Sequence, residues 1–241
     1  TYDFDRFDAS EILPMFAKHN ITTFCAPPTM LRMMVKEDIS KYDLSSIKHM
    51  TTAGEALNPE VHKQFKAATG LEIMEGFGQT ETPVLLANYD GVEIKPGSTG
   101  KPSPDFDIDI VDENGNSCED GIVGSIVIKN LSKHYPAGLF QGYQEDEAAN
   151  TRAFANDCYN TGDTAWRDAD GYYWFVGRND DVIKCSGYRI GPFEVESALM
   201  MHPSVLECAV TAAPDPIRGQ VVKATIVLAK GYTASDELKK E

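Results

Sequence analysis

The 241-residue chain predicts a mixed α/β and α+β multidomain protein. Its expected parts are a parallel-sheet α/β layer over residues 1–90, a small distorted β-barrel module over 91–179, and part of a small α+β domain over 180–241. Three observations carry this. Early β-branched runs alternate with segments bearing helix start and stop signals. From about Gly91 the apolar residues alternate with period two between turn signals. After Asp180 a helix signal precedes two long strand-like runs.

In chain order, Asp8 followed by Glu11 resembles a capping box, with Pro14 expected to kink or shorten the helix. Ile21 to Cys25 reads as a strand stopped at Pro27-Pro28, and a helix is expected through Leu31 to Val35. Ile47 to Thr52 reads as a strand. Asn58-Pro59 is a good N-cap and N1 pair, Val61, Phe65 and Ala68 share a helical face, and Gly70 is placed to end the helix. Leu71 to Met74 reads as a strand running into a Gly-rich loop. Phe106 to Val111 alternates apolar and polar, Asp112 to Asn116 signals a hairpin, and Ile122 to Ile128 returns. Asp168 to Gly171 is a second turn, followed by a strand from Tyr172 to Val176. Pro192 opens a helix with Val195 and Leu199 inward, ended by His202-Pro203. Val205 to Ala213 and Val221 to Ala229 read as strands, and Ser235 as the cap of a helix stopping at Glu241.

The net charge of −15, with no basic stripe, argues against nucleic acid as a partner. The longest uncharged run, His19 to Leu31, is too short to span a bilayer and carries two prolines. The first residues include Asp3, Asp5, Arg6 and Asp8 and show no signal or basic presequence, so a cytoplasmic protein is expected. The five cysteines are far apart without a CxxC spacing, which fits reduced thiols rather than disulfides or zinc.

Gly, Asp and Arg crowd into Asn160-Thr161-Gly162-Asp163 and Gly177-Arg178-Asn179-Asp180-Asp181, continuing to Ser186-Gly187-Tyr188-Arg189. An Asp can accept two hydroxyl donors and an Arg offers a planar fork, a pair suited to a ribose and its phosphate. In Gly76-Phe77-Gly78-Gln79-Thr80-Glu81 two glycines let backbone N–H groups approach an anion, followed by a hydroxyl and a carboxylate. Thr52-Ala53-Gly54-Glu55-Ala56-Leu57 reads as a strand end turning into a helix. Taken singly, each segment also reads as an ordinary turn with solvated side chains.

Together, in this order, these segments resemble the adenylate-forming superfamily of acyl- and aryl-CoA synthetases, luciferases and peptide-synthetase adenylation domains. The resemblance implies activation of a carboxylate by ATP, with AMP, Mg²⁺ and CoA as the small molecules bound. It implies that Thr80 contacts the α-phosphate and Glu81 holds magnesium. Gly54, Glu55, Ala56 and Glu75 then lie at adenine, with Gly76 to Gln79 lining the phosphate side. Asp163 accepts the ribose hydroxyls, and Arg178 binds ribose and phosphate. Thr80, Glu81 and Arg178 are the implied catalytic residues. Ala53 and Gly78 border the acyl pocket, Asp180 is the hinge between large and small domains, and Ser186, Gly187, Tyr188 and Arg189 line a pantetheine tunnel. Pro214-Asp215-Pro216-Ile217-Arg218-Gly219 is similar to a medium-chain acyl-CoA synthetase segment, implying Arg218 at the CoA phosphates. The Cys25 to Thr29 segment resembles the same branch. Acetyl-CoA synthetases place Trp where Gly78 stands, so an open pocket for a longer acid is expected.

Two parts of the superfamily pattern are not present: the Ser/Thr/Gly-rich loop for the β- and γ-phosphates and the C-terminal catalytic Lys segment. The chain is therefore expected to hold most of an adenosine site while adenylating poorly. An aryl-CoA ligase, a domain loading a carrier protein and a nucleotide- or partner-binding module are the alternatives. Arg218 and Ser186-Gly187-Tyr188 argue against the carrier protein. The sequence leaves a homo-oligomer open.

Overall fold

A computed structural model describes residues 7–240. In the first unit β1 (Thr23–Cys25), β2 (His49–Ala53) and β3 (Ile73–Gly78) run parallel, and β4 (Val84–Ala87) and β5 (Lys101–Pro102) add antiparallel to the β3 edge. Parallel neighbours need crossovers. These are α2 (Pro28–Lys36) and α3 (Pro59–Thr69), with α1 (Ala9–His19) packed beside them. Their core holds Leu13, Phe16, Leu31, Met34, Met50, Phe65 and Ile73, all nearly or wholly excluded from solvent.

The caps explain the helix ends. Asp8 accepts from the Ser10 N–H at 2.9 Å, and Asn58 from the Glu60 N–H at 2.8 Å. Gly70 closes α3 at φ 73 with its N–H on the Lys66 carbonyl. The expected shortening at Pro14 does not occur. Pro14 and Ser10 are both exposed, so the Ser10 carbonyl, deprived of its helical donor, faces water. Ala68 is exposed, and α3 buries His62 instead, its Nε2 2.7 Å from Glu72 Oε2. The Gly-rich segment expected as a loop continues β3 through Gly76 to Gly78.

The second unit is an antiparallel sheet in the order β6 (Ile108–Val111), β7 (Gly124–Ile128), β8 (Tyr159–Arg167) and β9 (Tyr173–Arg178). It does not close into the expected distorted barrel. β9 turns its outer edge to the first unit, where Tyr173 exchanges backbone hydrogen bonds with Thr99 and Gly100. Asp112 to Asn116 form a turn, but it closes only on a Val111–Ser117 bridge before the chain wanders to β7. Asp109, a polar position in the alternating run, is buried and held by Lys129 Nζ at 2.6 Å and by Ser117. A seven-residue helix, α4 (Glu147–Ala153), lies against β8 and is too short to print a helical period on the sequence. The Asp168–Gly171 turn forms between β8 and β9, and beyond it Trp166 and Trp174 face each other at 5.2 Å.

In the third unit β10 (Ile183–Cys185), β11 (Tyr188–Ile190), β12 (Val205–Asp215) and β13 (Gly219–Leu228) form a sheet ordered β11-β10-β13-β12, with α5 (Pro192–Leu199) packed on β12. Val195 and Leu199 are only partly buried. The expected last helix is a single 3₁₀ turn, Leu238–Lys240, capped by Ser235 Oγ at 3.1 Å. Glu241, where that helix was expected to stop, lies outside the described residues.

Gly100 sits at φ 95 where the first and second sheets meet, and an added Cβ would stand 2.1 Å from the Ala87 carbonyl carbon and oxygen. Gly100→Ala therefore combines backbone strain with an impossible contact, and is expected to cost more than about 2 kcal/mol, read from the urea midpoint.

Candidate functional site

Ligand crevices in α/β sheets open at the carboxyl ends of parallel strands. Here β2 and β3 end side by side, Ala53 paired with Gly76. Gly54, at φ 91, turns the chain out of β2 toward α3. The other wall comes from the second unit, where Asp163 on β8 and Arg178 on β9 are direct cross-strand partners. Between them lies a cleft of about 380 Å³ lined by Gly54, Glu55, Ala56, Glu75, Gly76, Phe77, Gly78, Gln79, Asp163 and Arg178, with Thr99 and Phe175. Ten residues singled out in the sequence, from four separate stretches, thus share one cavity.

Its electrostatics are set by burial. The Asp163 carboxyl, 4% exposed, is pushed up to about 6 mainly by desolvation. Arg178, with Nη1 3.7 Å from Oδ1, and the Gln79 amide oppose that shift. Glu75, 5% exposed, is pushed up to about 8 by burial, which the Leu57 N–H on Oε1 at 3.3 Å only partly offsets. Arg178 also reaches Asp180, Nε to Oδ1 3.6 Å. Gly162, at φ 76, leaves room for its guanidinium, since an added Cβ would lie 3.1 Å from Nη2. The Phe77 and Phe175 rings, 6.2 Å apart, give the cleft an apolar side. Glu55 Oε2 accepts from Thr29 Oγ1 at 2.7 Å, tying the segment after β2 to α2.

The remaining singled-out residues lie elsewhere. Ala53 is exposed at the end of β2, outside the cleft lining. Thr80 is exposed just beyond β3, and Glu81 is half-buried with Oε1 on the Tyr143 hydroxyl at 2.9 Å. Asp180 lines an adjoining cavity of about 520 Å³ between the first and third units, which shares Glu55, Ala56, Phe175 and Arg178 with the cleft. Ser186 and Gly187, at φ 50 and 86, are the two-residue turn of the β10–β11 hairpin. The Ser186 N–H donates to the Arg218 carbonyl at 3.2 Å, so these two segments meet at one end of the third sheet. Tyr188 is 74% exposed, and Arg189 is paired with Glu113 of the second unit.

Gly78 has a nearer constraint than pocket volume: an added Cβ would stand 2.5 Å from the Pro83 carbonyl oxygen, where β3 and β4 slip register. Thr99 and Phe175 were not singled out, and neither were Tyr143 and Tyr159, whose hydroxyls bond Glu81 and Gln79. No local motif marks them, because long-range packing alone brings them to the site.

Among the described residues no group of three or more His, Cys, Asp and Glu could hold a metal ion. A single carboxylate such as Glu81 can hold magnesium, which commonly takes one or two carboxylates and fills its shell with phosphate oxygens and water.

Residues 2–143 match the family model described as AMP-binding enzyme, and residues 194–241 match the AMP-binding enzyme C-terminal domain. The chain belongs to the AMP-binding enzyme family. It is 51% identical over 238 residues to the mitochondrial acyl-coenzyme A synthetase ACSM3 of Rattus norvegicus, covering 98% of this chain and 41% of that protein. It is 48% identical to the mitochondrial ACSM5 of Homo sapiens over 98% of this chain and 40% of that one. The chain thus spans about two-fifths of the length of these curated relatives. Among solved structures, anthranilate CoA ligase AuaEII in complex with anthranoyl-AMP superposes with TM-score 0.86 at 34% identity, covering 96% of this chain and 44% of that one. A benzoate CoA ligase from Burkholderia xenovorans LB400 gives 0.81 at 31%, covering 98% and 46%. The mitochondrial names of the relatives overturn the cytoplasmic expectation. No described helix is long and apolar enough to cross a membrane.

Glu75 binds its proton more tightly in the native chain, about 8 against an ordinary 4.5. Its contribution is complete below the ordinary value and is lost as pH rises through about 8. Glu75→Gln keeps an acceptor for Leu57 and carries no charge. It is expected to raise the melting temperature at alkaline pH and to flatten the decline between about pH 5 and about pH 8.5, followed by calorimetry. Equal pH profiles for the two proteins would contradict this.

Proposed function

We propose that this chain carries the adenosine-binding part of an AMP-forming carboxylate–CoA ligase whose acid is a medium-chain fatty acid. The observation that supports it is the single cleft uniting the Gly54–Ala56 turn, the Glu75–Gln79 strand end, Asp163 and Arg178. In this reading the adenine lies against Gly54, Glu55, Ala56 and the Phe77 side, Asp163 accepts the ribose hydroxyls, and Arg178 spans ribose and α-phosphate. Thr80 donates to the α-phosphate from the end of β3. Glu81, held by Tyr143, would bind magnesium, which offsets phosphate charge when present.

The substrate carboxylate oxygen attacks the α-phosphorus, pyrophosphate leaves, and the CoA thiolate then displaces AMP from the acyl carbon. The residues here position and neutralise rather than exchange protons. Asp180 serves as the hinge, and Ser186, Gly187, Tyr188, Arg189 and Arg218 form the CoA-facing surface of the third unit. The domain division at about 90 and 179 belongs to the same proposal. So does acid length, carried by Gly78 and Ala53 at the pocket border and by the Cys25 to Thr29 segment. An aryl acid is the second reading, favoured by the likeness to the anthranilate and benzoate ligases, though the identity to the acyl-coenzyme A synthetases is higher.

Acyl-sulfamoyl adenosines, stable mimics of the acyl-adenylate, test both. Calorimetric titration is expected to show binding that rises from acetyl to octanoyl and exceeds benzoyl. Asp163→Ala should weaken every member roughly tenfold or more, as expected for losing hydrogen bonds to a charged acceptor. A benzoyl maximum would move the assignment to the aryl acid, and binding indifferent to Asp163 would remove the adenosine site.

A further inference from the structure

We propose that Gln79 is a positioning residue: its side-chain amide, oriented by the Tyr159 hydroxyl, holds Asp163 as a ribose acceptor across the junction of two sheets. This rests on the adenosine reading above. Gln79 stands just past β3 of the first unit, whereas Tyr159, Thr161 and Asp163 lie on β8 of the second. Its Nε2 donates to Asp163 Oδ2 at 2.6 Å and to the Thr161 carbonyl at 2.8 Å. Its Oε1 accepts from the Tyr159 hydroxyl at 2.8 Å.

The orientation of the amide follows from its partners. A backbone carbonyl can only accept, and so can an ionised carboxylate, so the NH₂ must face Thr161 and Asp163. The oxygen then faces Tyr159, whose hydroxyl must donate. Tyr159 is 1% exposed and fixed by the Phe140 and Phe154 rings, each 5.5 Å away. The backbone N–H of Gln79 is satisfied separately by Thr82 Oγ1 at 3.0 Å. The side chain is therefore committed to one carboxylate in one orientation.

The charged groups facing Asp163 are Arg178, which favours its ionised form, and Asp180 and Glu81, which oppose it; burial opposes it most. With its carboxyl held near 6, Asp163 is ionised at neutral pH by a modest margin, and the Gln79 amide supplies part of that margin. Removing the amide raises the midpoint and frees the carboxylate to turn, so recognition of ribose hydroxyls suffers while the base contacts remain.

Adenosine is the probe, because a phosphomonoester titrates near pH 6 and would mask Asp163. 2′,3′-Dideoxyadenosine reports everything except the hydroxyls. In the wild-type chain adenosine is expected to bind about tenfold more tightly than the dideoxy compound at neutral pH, a preference lost as pH falls through about 6. Gln79→Leu should cut the neutral-pH preference from about tenfold to about threefold and move its midpoint up by about one pH unit, with dideoxyadenosine binding unchanged. Tyr159→Phe, which keeps the ring packing, should act in the same direction and serves if Gln79→Leu does not fold. A wild-type midpoint and preference in these variants, or equal weakening of both nucleosides, would overturn the positioning role. A wild-type chain that does not distinguish the two nucleosides, or an Asp163→Ala variant that keeps the preference, would instead overturn the adenosine reading beneath it.

Discussion

A buried carboxylate shared between two sheets organises this molecule. Asp163 is almost fully removed from water, and an ionised group in that position is costly unless donors surround it. Its partners come from two elements: the Arg178 cation, 3.7 Å away on the neighbouring strand of its own sheet, and the Gln79 amide, which donates from the end of the first unit's β3. Satisfying one acid therefore fixes where the second unit sits against the first. The cleft follows from that placement, as does the docking of β9 on Thr99 and Gly100.

The same rule governs other acids in the chain. Glu75 is buried with one backbone donor on its carboxylate and is shifted strongly upward, whereas Asp109, with Lys129, Ser117 and the Ile110 N–H, is held below the ordinary range. Two buried carboxylates thus take opposite charge habits because one has a cation within reach and the other does not. The neutral habit of Glu75 suits the apolar face beside Phe77, and the ionised habit of Asp109 pins β6 to the loop after β7.

The parts of the fold legible in sequence were those written locally. Asn58-Pro59 and Gly70 bracket α3 because a cap and a left-handed stop need particular side chains at particular places. Asp168 to Gly171 likewise makes a turn through the acid's own side chain, which accepts from the N–H groups of Asp170 and Tyr172. What stayed hidden depended on distant partners. The alternation of β6 says nothing of the lysine just past the end of β7 that holds Asp109 in the interior. The barrel expectation failed for the same reason, since β9 found its edge partner in another unit. At the site, the Gly, Asp and Arg clusters announced the cleft, while Tyr143 and Tyr159 carry no motif and reach it only through an aromatic cluster around Phe140.

The chain contains two tryptophans, Trp166 and Trp174, stacked with ring planes 6° apart on β8 and β9. Asp163 and Arg178 are paired further along the same two-stranded ladder. All the indole emission of the chain consequently arises from one hairpin, and two parallel chromophores at that spacing couple their transitions. The second unit thus contains its own optical reporter, on the same two strands as the carboxylate–guanidinium pair of the cleft.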